Sequence, residues 1–285
     1  MKLVTFLQES VERVGLWTED GVYPLPFPDM QFLIEQPWER LDDAARAARN
    51  APAVPLDAVT LCAPIPRPRQ DVICLGINYL SHSKEADRYN TEAFHKRETA
   101  IPIYFSKRVM EAVPPEGDID SHPGLVERLD YEAELAVVIG KTAKNIPADR
   151  AADYIFGYTV LNDVSARVLQ TTHKQWYFGK SLDGFTPMGP CITTADEIPF
   201  PPALRIAARV NGKTRQDSTT DLLITGIADI IAELSSGITL LPGTIIATGT
   251  PSGVGMGFDP PRFLHPGDVV ECEIEKIGVL RNIVR

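Results

Sequence analysis

Leu135-Ala-Val-Val-Ile139 is the stretch of this chain that leaves the fewest folding options open. A run this apolar and β-branched suits a strand whose two faces are both covered. Acid stands at its start, in Leu129-Asp-Tyr-Glu-Ala-Glu134. Side chains at i and i+2 of a strand share a face, roughly 6.5 Å apart, so Glu132 and Glu134 enter the buried strand on one side. Carboxylates placed this way repel each other unless a proton or a cation intervenes. A hard divalent metal resolves that conflict.

The rest of the chain is rich in strands. Residues 2–7 and 12–17 read as a β-hairpin, with Gly21-Val-Tyr-Pro as a third short strand, and a helical stretch covers about 28–50. A proline-marked connection from Pro52 to Pro68 follows, which fixed φ and missing N–H donors make an extended linker. The domain boundary is placed near residue 69, with a small α/β N-terminal domain over 1–69 and a larger domain over 70–285. Strands are expected at 71–76, 134–140, 155–162, 205–211, 244–249 and 268–275, and helices at 163–173 and 226–235. That ratio predicts a β-rich mixed α+β fold, not an alternating parallel one. The polar residues 88–100 read as an insertion or lid.

A net charge of −10 argues against nucleic acid as a partner, since phosphate binding needs a basic surface. It leaves open a small anionic ligand, which responds to local charge and bound metal. No stretch approaches the roughly 20 apolar residues that span a membrane, and the N-terminal apolar run is too short for a signal peptide. The cysteines (Cys62, Cys74, Cys191, Cys272) lack CxxC spacing and read as free thiols of a cytoplasmic protein.

Several groups of residues can carry chemistry. Asp163, where a strand gives way to a helix, serves as an N-cap or as a third carboxylate beside Glu132 and Glu134. Three such oxygens suit Mg²⁺ or Mn²⁺, with Ca²⁺ also compatible. His82 and Glu85, three apart, share a face of a helical turn. They form either an exposed surface pair or a base whose imidazole the carboxylate orients. Lys180 lies in Trp176-Tyr-Phe-Gly-Lys180, where it either packs its stem on aromatics or stabilises an oxyanion near the metal. Arg167 and Gln170 follow Asp163 at helical spacing, as helix decoration or as partners of a carboxylate ligand. The glycine-rich Ala247-Thr-Gly-Thr-Pro-Ser-Gly-Val-Gly-Met-Gly257 lacks a P-loop lysine and presents Thr250 on a tight turn.

In this order, the motifs resemble the fumarylacetoacetate hydrolase family. The matching residues are Gly76-x-Asn-Tyr-x-x-His82-x-x-Glu85, Glu132-x-Glu134-Leu-Ala-Val-Val, Asn162-Asp-Val-Ser-Ala-Arg167-x-x-Gln170, Lys180-Ser and Thr248-Gly-Thr-Pro-Ser-Gly-Val-Gly255. The resemblance spans about residues 70 to 285. It implies a β-roll-like catalytic fold, a homodimer, and a divalent metal held by Glu132, Glu134 and Asp163. It also implies a water-activating His82–Glu85 dyad, an oxyanion-stabilising Lys180, and substrate contacts from Arg167, Gln170 and Thr250. The activity expected from it is metal-dependent hydrolysis of a C–C bond in an acylpyruvate or related β-diketo acid. The alternatives are an oxo-acid decarboxylase or a tautomerase or isomerase of the oxaloacetate or 2-hydroxymuconate kind on the same site, and a non-enzymatic metal-stabilised binding protein.

Overall fold

The computed structural model describes residues 1–86 and 101–285, so the segment 88–100 expected as an insertion or lid lies outside the described residues. Strands β1 (Lys2–Gln8), β2 (Val11–Thr18) and β3 (Gly21–Pro24) form an antiparallel meander, followed by helices α1 (Met30–Ile34) and α2 (Trp38–Ala48). The expected helical stretch 28–50 is thus divided, with Pro37 at the N-cap of α2, because proline has no N–H to continue a preceding helix. The Asp29 carboxylate caps α1 by accepting from Phe32 N at 2.7 Å.

Next come β4 (Thr60–Leu61), β5 (Val72–Gly76), α3 (Leu80–Ala86), β6 (Ile103–Lys107), β7 (Asp118–Ile119) and β8 (Leu129–Asp130). The acidic strand β9 (Ala133–Ile139) and its partner β10 (Ile155–Asn162) precede β11 (Ser165–Ala166), α4 (Arg167–Thr172), α5 (Tyr177–Lys180) and β12 (Met188–Thr194). The chain closes with β13 (Arg205–Val210), β14 (Lys213–Thr219), α6 (Ile227–Gly237), β15 (Ile245–Ala247), β16 (Val269–Ile274) and β17 (Gly278–Val284).

Ten strands make one sheet in the order β3-β2-β1-β12-β10-β9-β15-β5-β6, with β4 joined to β1, and five make a second, β14-β13-β16-β17-β7. Pairing is antiparallel except for β5 with β15 and β7 with β17. This is the β-rich α+β fold that the strand-to-helix ratio predicts. The N-terminal meander is hydrogen-bonded into the large sheet, with Lys2 opposite Thr193 and Leu3 opposite Ile192. No helix among the described residues is long and apolar enough to cross a membrane.

Strand β9 is the hinge between two cores, and all of its residues are buried. Leu135, Val137 and Ile139 face a core shared with β13, β16 and β17, whereas Ala136 and Val138 face a core built with α1 and α2. A one-residue slip would exchange these faces and carry Glu134 into the wrong core, so burial on both sides locks the register. That register fixes where the acidic pair points.

Strands β6, β12, β14 and β17 lie outside the ranges the sequence pattern marks. Gly189 and Pro190 hide β12, because both residues usually signal turns. β14 (Lys-Thr-Arg-Gln-Asp-Ser-Thr) is polar throughout and closes one edge of the five-stranded sheet, where apolar alternation is not required.

Candidate functional site

The β9–β10 register assembles the acidic cluster. Glu134 lies opposite Leu161 and Ala133 opposite Asn162, and one step further Asp163 N donates to Glu132 O at 2.9 Å. One carboxylate oxygen from each of Glu132, Glu134 and Asp163 lies within 4.8 Å of the others. All three residues are buried. Asp163 is not the cap of the following helix: β11 intervenes, and the N-cap position of α4 is Ala166.

Cations crowd the same space. Lys180 Nζ donates to Glu132 Oε2 at 2.8 Å and to Asp163 Oδ2 at 2.6 Å. Its setting is not a stem on aromatics with the head in water, since the whole side chain is 1% exposed. Gly179 permits this placement, because a Cβ there would stand 2.5 Å from Gln170 N and force α5 off α4. Lys107, at the end of β6 and fully buried, donates to Asp163 Oδ1 at 2.8 Å, to Val164 O at 3.1 Å and to Lys180 O.

Arg167 does not pair with Asp163 as the helical spacing suggests, because α4 begins only at Arg167. Its Nε donates to Asp130 Oδ2 at 2.9 Å, and its Nη1 to Glu132 Oε1 at 2.7 Å and Gln170 Oε1 at 3.0 Å. Its Nη2 is buried with no hydrogen-bond partner among the described residues, an arrangement that costs energy unless a ligand supplies an acceptor.

The dyad forms on α3: His82 Nδ1 lies 3.0 Å from Glu85 Oε2, and Glu85 Oε1 accepts from Gly253 N at 3.0 Å. An ionised carboxylate only accepts, so the Nδ1 proton faces it and Nε2 is left as the basic nitrogen. The pair is buried, not the exposed surface contact that spacing alone allows. Thr250 Oγ1 donates to Ala133 O at 2.9 Å and accepts from Gln216 Nε2 at 2.7 Å, so its hydroxyl is committed to the scaffold. His82, Glu132, Gln170, Lys180 and Thr250 nevertheless line one cavity. Larger cavities of about 440 and 470 Å³ lie elsewhere, one beneath α1 and α2, the other on the far side of Glu85. Neither contains the acidic cluster, so chemistry and not size picks out the small one.

Sequence reasoning passes over Lys107, Asp130 and Gln216. Asp130 accepts from Gly255 N at 2.6 Å, Met256 N at 2.9 Å and Arg167 Nε, and so ties the glycine-rich loop to α4. Gln216 accepts from Ala133 N at 3.0 Å while donating to Thr250 and Pro251 O. No local pattern flags any of the three. The nearest signal is a lysine closing the strand Ile103-Tyr-Phe-Ser-Lys107.

The donor set fits a hard divalent cation. Among the described residues Lys107, Lys180 and Arg167 face Glu132, Glu134, Asp163 and Asp130, leaving one negative charge unmatched. The deficit falls on Glu134, which accepts from Gly249 N at 2.8 Å and has no ion pair among the described residues. Burial, then the charges of Asp163 and Glu132, push its carboxyl well above the usual carboxylate range. Burial also raises Glu132, but Lys180 and Arg167 outweigh it and hold that carboxyl down at about 2. Lys180 is likewise depressed by burial but raised overall by Asp163 and Glu132, whereas in Lys107 burial prevails and its pKa falls.

These shifts give a signed pH dependence for the metal-free protein. Glu132, lowered on folding, adds stability above its unfolded value of 4.5, and that stability is lost as pH falls towards about 2. Glu134, raised on folding, acts oppositely: its contribution is present at low pH and lost as pH rises through the folded value. A cation bound here displaces the Glu134 proton, so its stabilisation grows with pH. The Mn²⁺-induced rise in melting temperature should therefore be larger at about pH 8 than at about pH 6. Equal rises at both, read by scanning calorimetry, would contradict the assignment.

The family description "Fumarylacetoacetate (FAA) hydrolase C-terminal" matches residues 71–285. The oxaloacetate tautomerase YisK of Bacillus subtilis (strain 168) is 46% identical over 228 residues, covering 80% of this chain and 73% of that one. The mitochondrial oxaloacetate tautomerase Fahd2a of Rattus norvegicus is 40% identical over 301 residues, covering 100% and 91%. Among solved structures, maleylpyruvate hydrolase from Sphingobium sp. SYK-6, in complex with manganese(II) and pyruvate, superimposes with a TM-score of 0.79 at 30% identity, covering 100% and 98%.

The expectation of a hydrolase acting on C–C bonds is overturned by these relatives: the more similar sequences are tautomerases, which are isomerases. The physical reason is that the dyad does not discriminate. A base able to take a proton from water is equally able to take one from an acidic C–H, so the His82–Glu85 pair carries no preference for hydrolysis.

Proposed function

The chain belongs to the fumarylacetoacetate hydrolase family, and we propose that it is a divalent-metal-dependent tautomerase of a small oxo-diacid of the oxaloacetate type. The observation that carries this reading is one cavity lined by both His82 and the Glu132 edge of a buried three-carboxylate cluster, in a chain 40–46% identical to oxaloacetate tautomerases. Glu132, Glu134 and Asp163 would hold the ion, Mg²⁺ or Mn²⁺ by the hardness of the oxygen donors. Bound there, it would supply Lewis-acid polarisation of the 2-oxo group and so acidify the adjacent C–H.

The chain's own residues do the rest. His82 Nε2 takes the proton from the carbon next to the oxo group, and Glu85 stabilises the imidazolium through Nδ1. Lys180 spends two of its N–H donors on Glu132 and Asp163, and its third can hydrogen-bond to the oxygen on which enolate charge develops. Returning the proton to that oxygen gives the enol, and the reverse sequence gives the ketone. The buried Nη2 of Arg167 and the amide of Gln170 receive a substrate carboxylate. No water enters the balance. We propose in addition that the protein is a homodimer, which sedimentation velocity would check.

The test is ultraviolet loss of the enol of oxaloacetate with Mg²⁺ or Mn²⁺ present, compared between the parent and His82→Ala. The variant should lose at least about a hundredfold in turnover, the lower end of what general-base catalysis contributes, while binding Mn²⁺ as the parent does. Unchanged tautomerisation in the variant would sink the proposed base, and release of carbon dioxide or pyruvate as the main product would sink the tautomerase reading.

A further inference from the structure

The cavity that joins the dyad to the carboxylates measures only about 10 Å³, about enough for one water molecule. An oxo-diacid cannot enter it. The constriction has an identifiable cause. The six-membered ring of the Trp176 indole, at the start of α5, presses against Gly76 at the end of β5. A Cβ on Gly76 would stand 2.2 Å from Trp176 Cζ3 and 2.6 Å from Cη2. Gly76 is not among the residues with positive φ, so no backbone constraint asks for glycine here. The ring does. Phe105 of β6 meets the same indole edge-on, with centroids 5.2 Å apart and planes at 67°.

Floor and roof therefore differ in kind. The floor is charged and rigid: Glu132 and Lys180 are buried and ion-paired. The roof is aromatic and is carried on the turn between α4 and α5. Residues 172–175 of that turn are exposed, as are Tyr177 and Phe178, each 43% accessible. Among the described residues this turn borders solvent and the floor does not, so of these two walls the indole is the one that can give a ligand room.

We propose that Trp176 is the size-determining residue of the oxo-acid site, its indole occupying in the metal-free protein the space taken by the substrate end that does not face the carboxylates. The inference rests on the oxo-acid reading above and adds to it the limit on substrate length. Binding lifts the ring off Gly76, and the ring then closes over the ligand's far end. A smaller side chain at 176 leaves that space open and admits bulkier oxo-acids.

The experiment uses the full chain with Trp17 and Trp38 replaced by phenylalanine, so that Trp176 is the sole tryptophan. Oxalate, a planar dicarboxylate without a reactive C–H, is titrated in the presence of Mn²⁺ while emission and heat are followed together. Saturable calorimetric binding with a matching change in Trp176 emission is the expected result. Oxalate binding with no emission change overturns the role of Trp176 and leaves the site reading intact. No oxalate binding at all overturns both. In a second arm, Trp176→Ala should shift the kcat/KM ratio towards a C3-alkylated oxaloacetate by about tenfold or more, the scale of a methylene group in an apolar pocket. Gly76→Ala should give a red-shifted, oxalate-insensitive emission. An unaltered ratio in Trp176→Ala would refute the proposal even if the emission responds.

Discussion

In a Glu134→Gln variant, Mn²⁺ affinity falls by more than about a hundredfold, since loss of a ligand exceeds the ten- to hundredfold typical of groups that only support one. Turnover falls with it. The metal-free variant, by contrast, melts no lower than the parent. The two outcomes follow from one fact: Glu134 is the carboxylate without a cation among the described residues, and its ionised form is disfavoured by burial and by Asp163 and Glu132. Glutamine keeps the side-chain oxygen that accepts from Gly249 N and removes the repulsion. Asp163→Asn is the necessary contrast. Its carboxylate is held by both Lys107 and Lys180, so its loss leaves the buried Lys107 ammonium without a carboxylate among the described residues and Lys180 with Glu132 only, which lowers the melting temperature as well as metal affinity. Isothermal titration and scanning calorimetry read both effects. A Glu134→Gln protein that binds Mn²⁺ like the parent would remove the metal centre from this site, whatever its melting temperature.

The contrast also marks what a sequence can and cannot disclose. Glu132 and Glu134 are legible because period-two geometry puts them on one face of a strand whose remaining residues must be buried. Asp163 is legible as a candidate only, since its place depends on the antiparallel register that sets Asn162 opposite Ala133. His82 and Glu85 share a short helix, so local spacing suffices. Lys107 is illegible for the opposite reason. Its partners are Asp163, Val164 and Lys180, all more than fifty positions away along the chain, and a lone lysine at a strand end looks like any solvated one. Arg167 shows the complementary error. Helical spacing couples it to Asp163, but the chain runs extended through Ser165–Ala166 before α4 begins, and the guanidinium turns to Asp130 and Glu132. The family resemblance named the candidate metal ligands and the dyad and led to hydrolysis as the expected activity, a choice these residues do not make, because hydrolysis and tautomerisation both begin with a base beside a polarised oxo group.

Lys107→Met should be the most destabilising single change near the site. The ammonium is fully buried, and its three donors meet an Asp163 carboxylate oxygen and the carbonyls of Val164 and Lys180. Methionine fills the channel but leaves Asp163 short of a counter-charge and both carbonyls short of a donor. Breaking a buried pair in this way costs about 3–5 kcal/mol, and at roughly 2 °C per kcal/mol for a chain of this size the melting temperature drops by roughly 6–10 °C. Lys107→Arg does not rescue it, because a planar fork cannot place its donors where a single ammonium sits, and the surrounding core has no room for one. Mn²⁺ should raise the melting temperature of Lys107→Met more than that of the parent, since one cation fewer competes for Asp163. The same lysine holds the backbone of Lys180 in place, so turnover at saturating metal should fall even where stability is recovered. A Lys107→Met protein that melts like the parent would mean that Asp163 does not depend on this ammonium. Lys180 alone would then neutralise Asp163.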